Sequence, residues 1–215
     1  MRFIVMANGK YGDLSFYNQY LTGQETILCA DGGANHAYKM GVVPQIIIGD
    51  MDSIFPEVKE YFVKRKVTFK KFPRRKDFTD TQLVLTKAAE MGASEIILLG
   101  TLGRRLDHTL SNLYGGIEMA QRGIKISHLS PRLAVYLVSK ELEIIGQAGD
   151  LVSVLSLTEQ AHGVTVQGFD YPLDQVVLEQ KVPYAISNVL SGNRGMISVD
   201  EGILAVFHYF QEGGN

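Results

Sequence analysis

A change of hydrophobic period near residue 130 constrains the fold of this chain more than any other feature. Before it, short apolar runs at residues 2 to 8, 25 to 31, 45 to 50, 67 to 72, 94 to 100 and 125 to 130 alternate with segments of helical spacing. Between Thr79 and Met91, the residues Leu83, Val84, Lys87, Ala88 and Met91 share one face at steps of three and four, and Gly92 supplies the stop. A further helix is expected to start at Asp107 and Thr109 and to pass through Leu110, Leu113, Ile117 and Ala120 to Gly123. Strands alternating with helices imply a Rossmann-like, mostly parallel sheet with flanking helices and right-handed crossovers. After residue 130 the period becomes two, in Leu133, Val135 and Leu137, less strictly in Val152, Val154 and Leu157, and again in Val164 and Val166. Turn residues such as Gly146, Gly149, Gly163, Gly168 and Pro172 cut the remainder into short strands. The expected architecture is an α/β domain over residues 1–130 followed by an antiparallel β-sandwich over 131–215, joined at Ser130-Pro131.

Four short acidic, glycine-bearing clusters fall where the apolar runs of the first half end. They are Asp31-Gly32-Gly33-Ala34-Asn35, Gly49-Asp50-Met51-Asp52-Ser53, Asp77-Phe78-Thr79-Asp80 and the stretch from Gly100 to His108. A strand that ends in aspartate carries the carboxylate to the rim of its sheet, and open α/β sheets bind ligands at that rim. Several carboxylates on one rim suggest a Mg²⁺-phosphate site, because Mg²⁺ takes a few hard oxygen ligands and leaves its other positions to substrate phosphates.

Each cluster also has a plainer reading. Asp52-Ser53 could cap a helix starting near Pro56, and one of Asp77 and Asp80, which flank Thr79, could cap the helix that follows. Gly32-Gly33 lets backbone N–H groups approach an anion at a helix start, although such a turn between strand and helix is common. Arg74-Arg75-Lys76 suits triphosphate oxygens, or forms a solvated loop. Arg104 and Arg105 are more telling, since guanidinium groups grip phosphate in a planar, bidentate way that ammonium groups cannot. For His108, a cap or packing role stands beside a catalytic one. His36, His128, His162 and His208 show no metal-ligand spacing and receive no role.

Composition narrows the function classes. A chain of 215 residues that is 46% hydrophobic buries a sizeable core. Its net charge of −2 supplies no basic field for nucleic acid. The single cysteine, Cys29, lies in an apolar run and reads as a buried, inert thiol, so no intrachain disulfide framework exists. No apolar stretch approaches membrane-spanning length, and no signal segment is evident at the N-terminus, so a cytoplasmic protein without membrane or nucleic-acid partners is expected.

The ordered set D-G-G-A-N, G-D-x-D-S, K-D-x-T-D and G-x-x-G-x-R-x-D-H, followed by a β-rich half containing Ser187-Asn188, resembles the thiamine pyrophosphokinase family across essentially the whole chain. The resemblance implies transfer of a pyrophosphoryl group from ATP to the hydroxyethyl oxygen of thiamine, in a homodimer whose active sites lie between subunits. It assigns Asp50, Asp52 and Asp80 to Mg²⁺ and catalysis, with Asp52 or Asp80 as the proton acceptor. It places Asp31, Gly32, Gly33, Asn35, Asp77, Thr79, Arg104, Arg105, Asp107 and His108 around ATP, and Ser187 and Asn188 at thiamine. The chain has no Trp, so an aromatic stack on thiamine would have to come from Tyr or Phe. The apolar face Ile203, Ala205, Phe207 and Tyr209 is a candidate for the dimer contact. Two rival readings of the same rim are a metal-dependent phosphohydrolase and a nucleotide-binding module without turnover.

Overall fold

Each apolar run of the first half forms a strand in the computed structural model, which describes residues 1–73, 77–103 and 105–211. In chain order the first half contains β1 (Arg2–Met6), β2 (Thr26–Ala30), α1 (Gly33–Lys39), β3 (Ile46–Gly49), α2 (Pro56–Lys64), β4 (Thr68–Lys71), α3 (Asp80–Glu90), β5 (Glu95–Leu99), α4 (Leu106–Gly115), α5 (Ile117–Gln121) and β6 (Lys125–Ser130). A 3-10 turn, Leu14–Tyr20, bridges β1 and β2. The second half contains β7 (Leu133–Val138), β8 (Glu141–Ile145), β9 (Leu151–Ser156), β10 (Gln160–Gln167), β11 (Leu173–Glu179), β12 (Asn188–Val189), β13 (Arg194–Ser198) and β14 (Leu204–Tyr209).

The chain divides into two compact units. One comprises Met1–Gly116 with His128–Ser130, and the other Ile117–Ser127 with the residues from Pro131 onward. In the first unit the parallel strands run in the order β5-β1-β2-β3-β4. Phe3, Ile4, Val5 and Met6 are fully buried, as expected for a parallel strand covered on both faces. Helices α1 and α3 pack on this sheet.

Gly33, the first residue of α1, owes its identity to that packing. A Cβ at this position would lie 1.9 Å from the carbonyl oxygen of Met6, a backbone atom of β1 that cannot move aside. Gly33→Ala should therefore destabilise the protein by about 3 kcal/mol or more, read as a lower urea midpoint. An unchanged midpoint would mean that α1 does not rest on β1 as closely as described.

The helix expected from Asp107 to Gly123 is instead two helices. α4 ends with its C-cap at Gly116, directly after Gly115, and α5 begins at Ile117. A glycine pair supplies no side chain to pack and costs more backbone entropy than any other residue pair, so the helical period of Leu113, Ile117 and Ala120 does not carry through it. α5 belongs to the second unit and covers β7. This is why Ala134, Val135, Leu137 and Val138 are all buried, where alternation alone implied one buried face.

The second unit is an antiparallel β-sandwich. One layer is β12-β9-β14-β7 and the other β11-β10-β13-β8. Val152, Val154, Leu204 and Val206 of the first layer share a core with Ile144, Val164, Val166 and Ile197 of the second. Of the face expected to make a dimer contact, Ile203 and Ala205 are 2% and 0% exposed, whereas Tyr209 is 42% exposed. Among the described residues, no helix is long and apolar enough to cross a membrane.

A buried pair ties the end of β14 to the turn before β9: His208 Nε2 donates to Asp150 Oδ2 at 2.8 Å. Burial by itself would raise the Asp150 carboxyl. The backbone N–H of Gln147, the ring of His208 and the N–H of Gln211 together outweigh it and hold the carboxyl below its ordinary value. A folded-state pKa below the unfolded one contributes stability that is present above the unfolded carboxylate range, near 4, and is lost as pH falls through the depressed value. Asp150→Asn should therefore lower stability at neutral pH and flatten its decline below about pH 4. Parallel acid-unfolding curves for the two proteins would contradict this account.

Candidate active site

The strand order places a topological switch between β1 and β5. The chain steps outward from β1 to β4 and then returns to the other side of β1, so the loops leaving β1 and β5 diverge and open a crevice at the carboxyl rim. A cleft of about 990 Å³ lies there, floored by Ala7, Asn8 and Gly9 after β1 and by Gly100 and Thr101 after β5. Close to the strand ends the two loops are in contact, at Gly9, where a Cβ would sit 2.1 Å from the Gly100 carbonyl oxygen.

Three carboxylates converge on one side of the cleft. One oxygen each from Asp31, Asp50 and Asp52 lies within 4.8 Å of the others. Asp31 directly follows β2, and its backbone takes φ +42°, while Met51 between the two other acids takes φ +69°. Conformations of this kind cost non-glycine residues energy and persist where the surroundings over-determine them, often at functional sites. Asn35, expected at ATP, acts on this loop: its amide donates to the Ser53 carbonyl at 2.8 Å and accepts from the Phe55 N–H at 3.0 Å. Asp52-Ser53 does not cap α2, whose N-cap is Phe55 with no side-chain bond.

Asp31 is 8% exposed, and its Oδ1 has no hydrogen-bond partner among the described residues. Burial raises its carboxyl above the ordinary range, opposed by hydrogen bonds from Ser53 and Gly32 and reinforced by the charges of Asp50 and Asp80. A buried carboxylate with one unpartnered oxygen, close to two further carboxylates, is costly without a cation. This donor set, all hard oxygen, suits Mg²⁺.

Asp80 and Thr79 line the same cleft. Neither Asp77 nor Asp80 caps α3. The cap is Thr79, in a reciprocal box with Gln82. Asp80 stands in the first turn of α3, where the helix dipole favours an anion. Asp77 is exposed and does not line the cleft, and Gly32 and Gly33 do not line it either.

Arg105, Asp107 and His108 border the cleft, with Ser111 and Asn112 one helical turn further on. The Arg105 guanidinium forks onto Asp107 through Nε and Nη2. That bond lowers the Asp107 carboxyl and raises the guanidinium. Both side chains are exposed, so the pair does little for stability. Arg104 and Arg74-Arg75-Lys76 lie outside the described residues.

Asn8, Gly9 and Lys10 were missed by the sequence reading. Their signal was available, since they follow the first apolar run as the acidic clusters follow the others. In the second unit, Ser187 is exposed with φ +58°. Asn188 is buried, its amide donating to the Tyr171 carbonyl at 2.7 Å and accepting from the Tyr171 and Val189 N–H groups. The histidines left without a role are packing residues in part: His36 stacks on Tyr11, and His208 holds Asp150. Cys29 is fully buried and its thiol is pushed up by burial, in keeping with inertness.

Comparison with known proteins decides the family. The model for the thiamin pyrophosphokinase catalytic domain matches residues 17–128, and that for the thiamin pyrophosphokinase vitamin B1 binding domain matches residues 138–204. The chain belongs to the thiamin pyrophosphokinase family. It is 28% identical over 185 residues to thiamine pyrophosphokinase of Bacillus subtilis (strain 168), covering 81% of this chain and 82% of that protein. Thiamine pyrophosphokinase 1 of Oryza sativa subsp. japonica is 26% identical over 203 residues, covering 82% and 76%. The crystal structure of the Bacillus subtilis thiamine pyrophosphokinase superposes with a TM-score of 0.84 at 25% identity, over 98% of this chain and 100% of that one. That of the Geobacillus thermodenitrificans thiamin pyrophosphokinase gives 0.84 at 25% identity, over 99% of each.

As a member of the thiamin pyrophosphokinase family the chain is an enzyme, a thiamine diphosphokinase. The stretch matched by the catalytic domain takes in Asp31, Asp50, Asp52, Asp80, Arg105, Asp107 and His108, and that matched by the B1 binding domain takes in Ser187 and Asn188. Asn8 to Lys10 precede the matched stretch and enter the site through geometry alone.

Proposed function

We propose that the cleft over β1 and β5 holds ATP with Mg²⁺, and that the chain transfers the pyrophosphoryl group of ATP to thiamine, giving AMP and thiamine pyrophosphate. The observation that carries this reading is the cluster of Asp31, Asp50 and Asp52, with one buried oxygen lacking a partner among the described residues. These three carboxylates would hold the ion, with Asp80 beside them. Bound there, Mg²⁺ would supply neutralisation of charge on the transferred pyrophosphoryl group and on the departing AMP.

The chain's own groups account for the rest. Lys10 and Arg105 border the cleft as cations for the phosphates. Because the Arg105 fork already rests on Asp107, phosphate binding there exchanges one anionic partner for another. Asp52 or Asp80 accepts the proton of the thiamine hydroxyl as its oxygen attacks the β-phosphorus. The acidic rim favours approach of the cationic thiazolium ring. Ser187 and Asn188 contact thiamine. We assign catalysis to a domain of residues 1–130, and thiamine binding and dimerisation to residues 131–215, in a cytoplasmic homodimer with sites shared between subunits.

Incubation with ATP, Mg²⁺ and thiamine tests the reaction. AMP and thiamine pyrophosphate should appear in equal amounts. ADP with thiamine monophosphate would overturn pyrophosphoryl transfer, and phosphate or pyrophosphate released without thiamine would make the enzyme a hydrolase.

A further inference from the structure

Thr101 and His128 form a buried polar pair beneath the cleft that the carboxylates and Arg105 do not explain. Thr101 follows the last residues of β5 and is 3% exposed, yet it lines the cleft. His128, near the end of β6, is fully buried, with Nδ1 2.9 Å from Thr101 Oγ1. The Thr101 carbonyl accepts from Asn112 Nδ2 at 3.0 Å, which fastens this residue to α4. Among the described residues, His128 is the one hydrogen-bonding partner of the Thr101 hydroxyl, and His128 Nε2 has no partner. A valine and an aromatic ring would fill similar space with no polar atoms to satisfy, so the pair needs a reason.

The proton count supplies one. Burial pushes His128 down to about 3, so the ring is neutral near pH 7 and carries one N–H. If that proton sat on Nε2, it would be a buried donor with no acceptor, which is rare in folded proteins. With the proton on Nδ1, only a lone pair is left unsatisfied, and Nδ1–H donates to Thr101 Oγ1. The hydroxyl then accepts from the imidazole and keeps its own proton to donate elsewhere. Thr101 lines the cleft, so a phosphate oxygen bound there is a candidate acceptor for that proton.

We propose that Thr101 is a phosphate-binding residue, its hydroxyl held by His128 as an acceptor and so oriented to donate to a phosphate oxygen of ATP. His128 is a positioning residue. The inference rests on the reading of the cleft as an ATP site.

Steady-state kinetics and calorimetry on the full-length enzyme test it. Thr101→Val keeps the shape and removes the hydroxyl. It should lower kcat/KM for ATP about tenfold or more, the usual scale for a hydrogen bond to a charged group, with the KM for thiamine unmoved. Thr101→Ser should recover most of that loss. His128→Phe should lower kcat/KM for ATP in the wild-type background and add nothing in the Thr101→Val background. His128→Asn places an amide N–H near the Nδ1 position and should restore part of the effect, which also covers the case where the Phe variant folds poorly. A normal kcat/KM for ATP in Thr101→Val overturns the proposal. So does a His128→Phe effect that persists in full without the hydroxyl, since that marks a packing role only. If the wild-type enzyme forms no AMP, the reaction assignment falls separately. The ATP affinities of the wild-type and Thr101→Val proteins then decide the hydroxyl by themselves, equal values overturning it.

Discussion

Asp50→Asn and Asp52→Asn should each lower kcat by more than the 10- to 100-fold typical of groups that merely support a metal ligand, while the fold survives. Asparagine preserves the volume and most hydrogen bonds of aspartate but not its charge. A capping or turn aspartate would tolerate the change, because asparagine caps nearly as well. Asp31→Asn separates binding from folding most cleanly. Its carboxyl is buried, raised by that burial and pressed by the charges of Asp50 and Asp80. Removing it should leave the metal-free protein at least as thermally stable as wild type, because a buried repulsion goes with it. The same substitution should abolish the rise in Tm that Mg²⁺ gives the wild-type protein by binding the folded state. Near-normal turnover in all three variants, or an unaltered Mg²⁺-dependent Tm in Asp31→Asn, would remove the metal from this cluster.

The difference between Asp31 and Asp80 shows where sequence reading stops. Strand ends were legible because apolar runs break at Asp31, Asp50 and Thr101, and a carboxyl rim follows from strand-helix alternation. The grouping of carboxylates was not. The resemblance put Asp50, Asp52 and Asp80 on one metal, whereas the tight group consists of Asp31, Asp50 and Asp52, with Asp80 near enough to press on Asp31. Which carboxylates meet depends on the pairing of β2 with β3 and on a loop held by Asn35, and neither leaves a trace in local spacing. Thr79 behaves similarly. Its capping box with Gln82 is readable as T-x-x-Q, but the aspartates on either side fit a cap equally well by residue type. His128 lay beyond reach, because its partner Thr101 is 27 residues away and the two meet only when β5 and β6 are both formed.

Subunit complementation should restore activity from two inactive parents, the largest change expected of this enzyme. The site proposed here needs Asp50 from one subunit and Ser187 from the other. Asn188 is the poorer choice for the second variant, since its amide carries three hydrogen bonds that tie Tyr171 and Val189 in place, and losing them would disturb the fold. Ser187 is exposed, and Ser187→Arg adds bulk and a positive charge against a cationic substrate. The Asp50→Asn and Ser187→Arg homodimers should both be inactive. In a mixed dimer one site inherits both lesions and the other inherits neither. Each heterodimer should thus show about half of the wild-type activity, by site counting in a two-fold dimer. Exchange of subunits is to be verified independently, by mixing chains with different tags and isolating the doubly tagged species. If that species forms and remains inactive, thiamine is held within a single chain, and the shared site is wrong even though the carboxylate cluster stands.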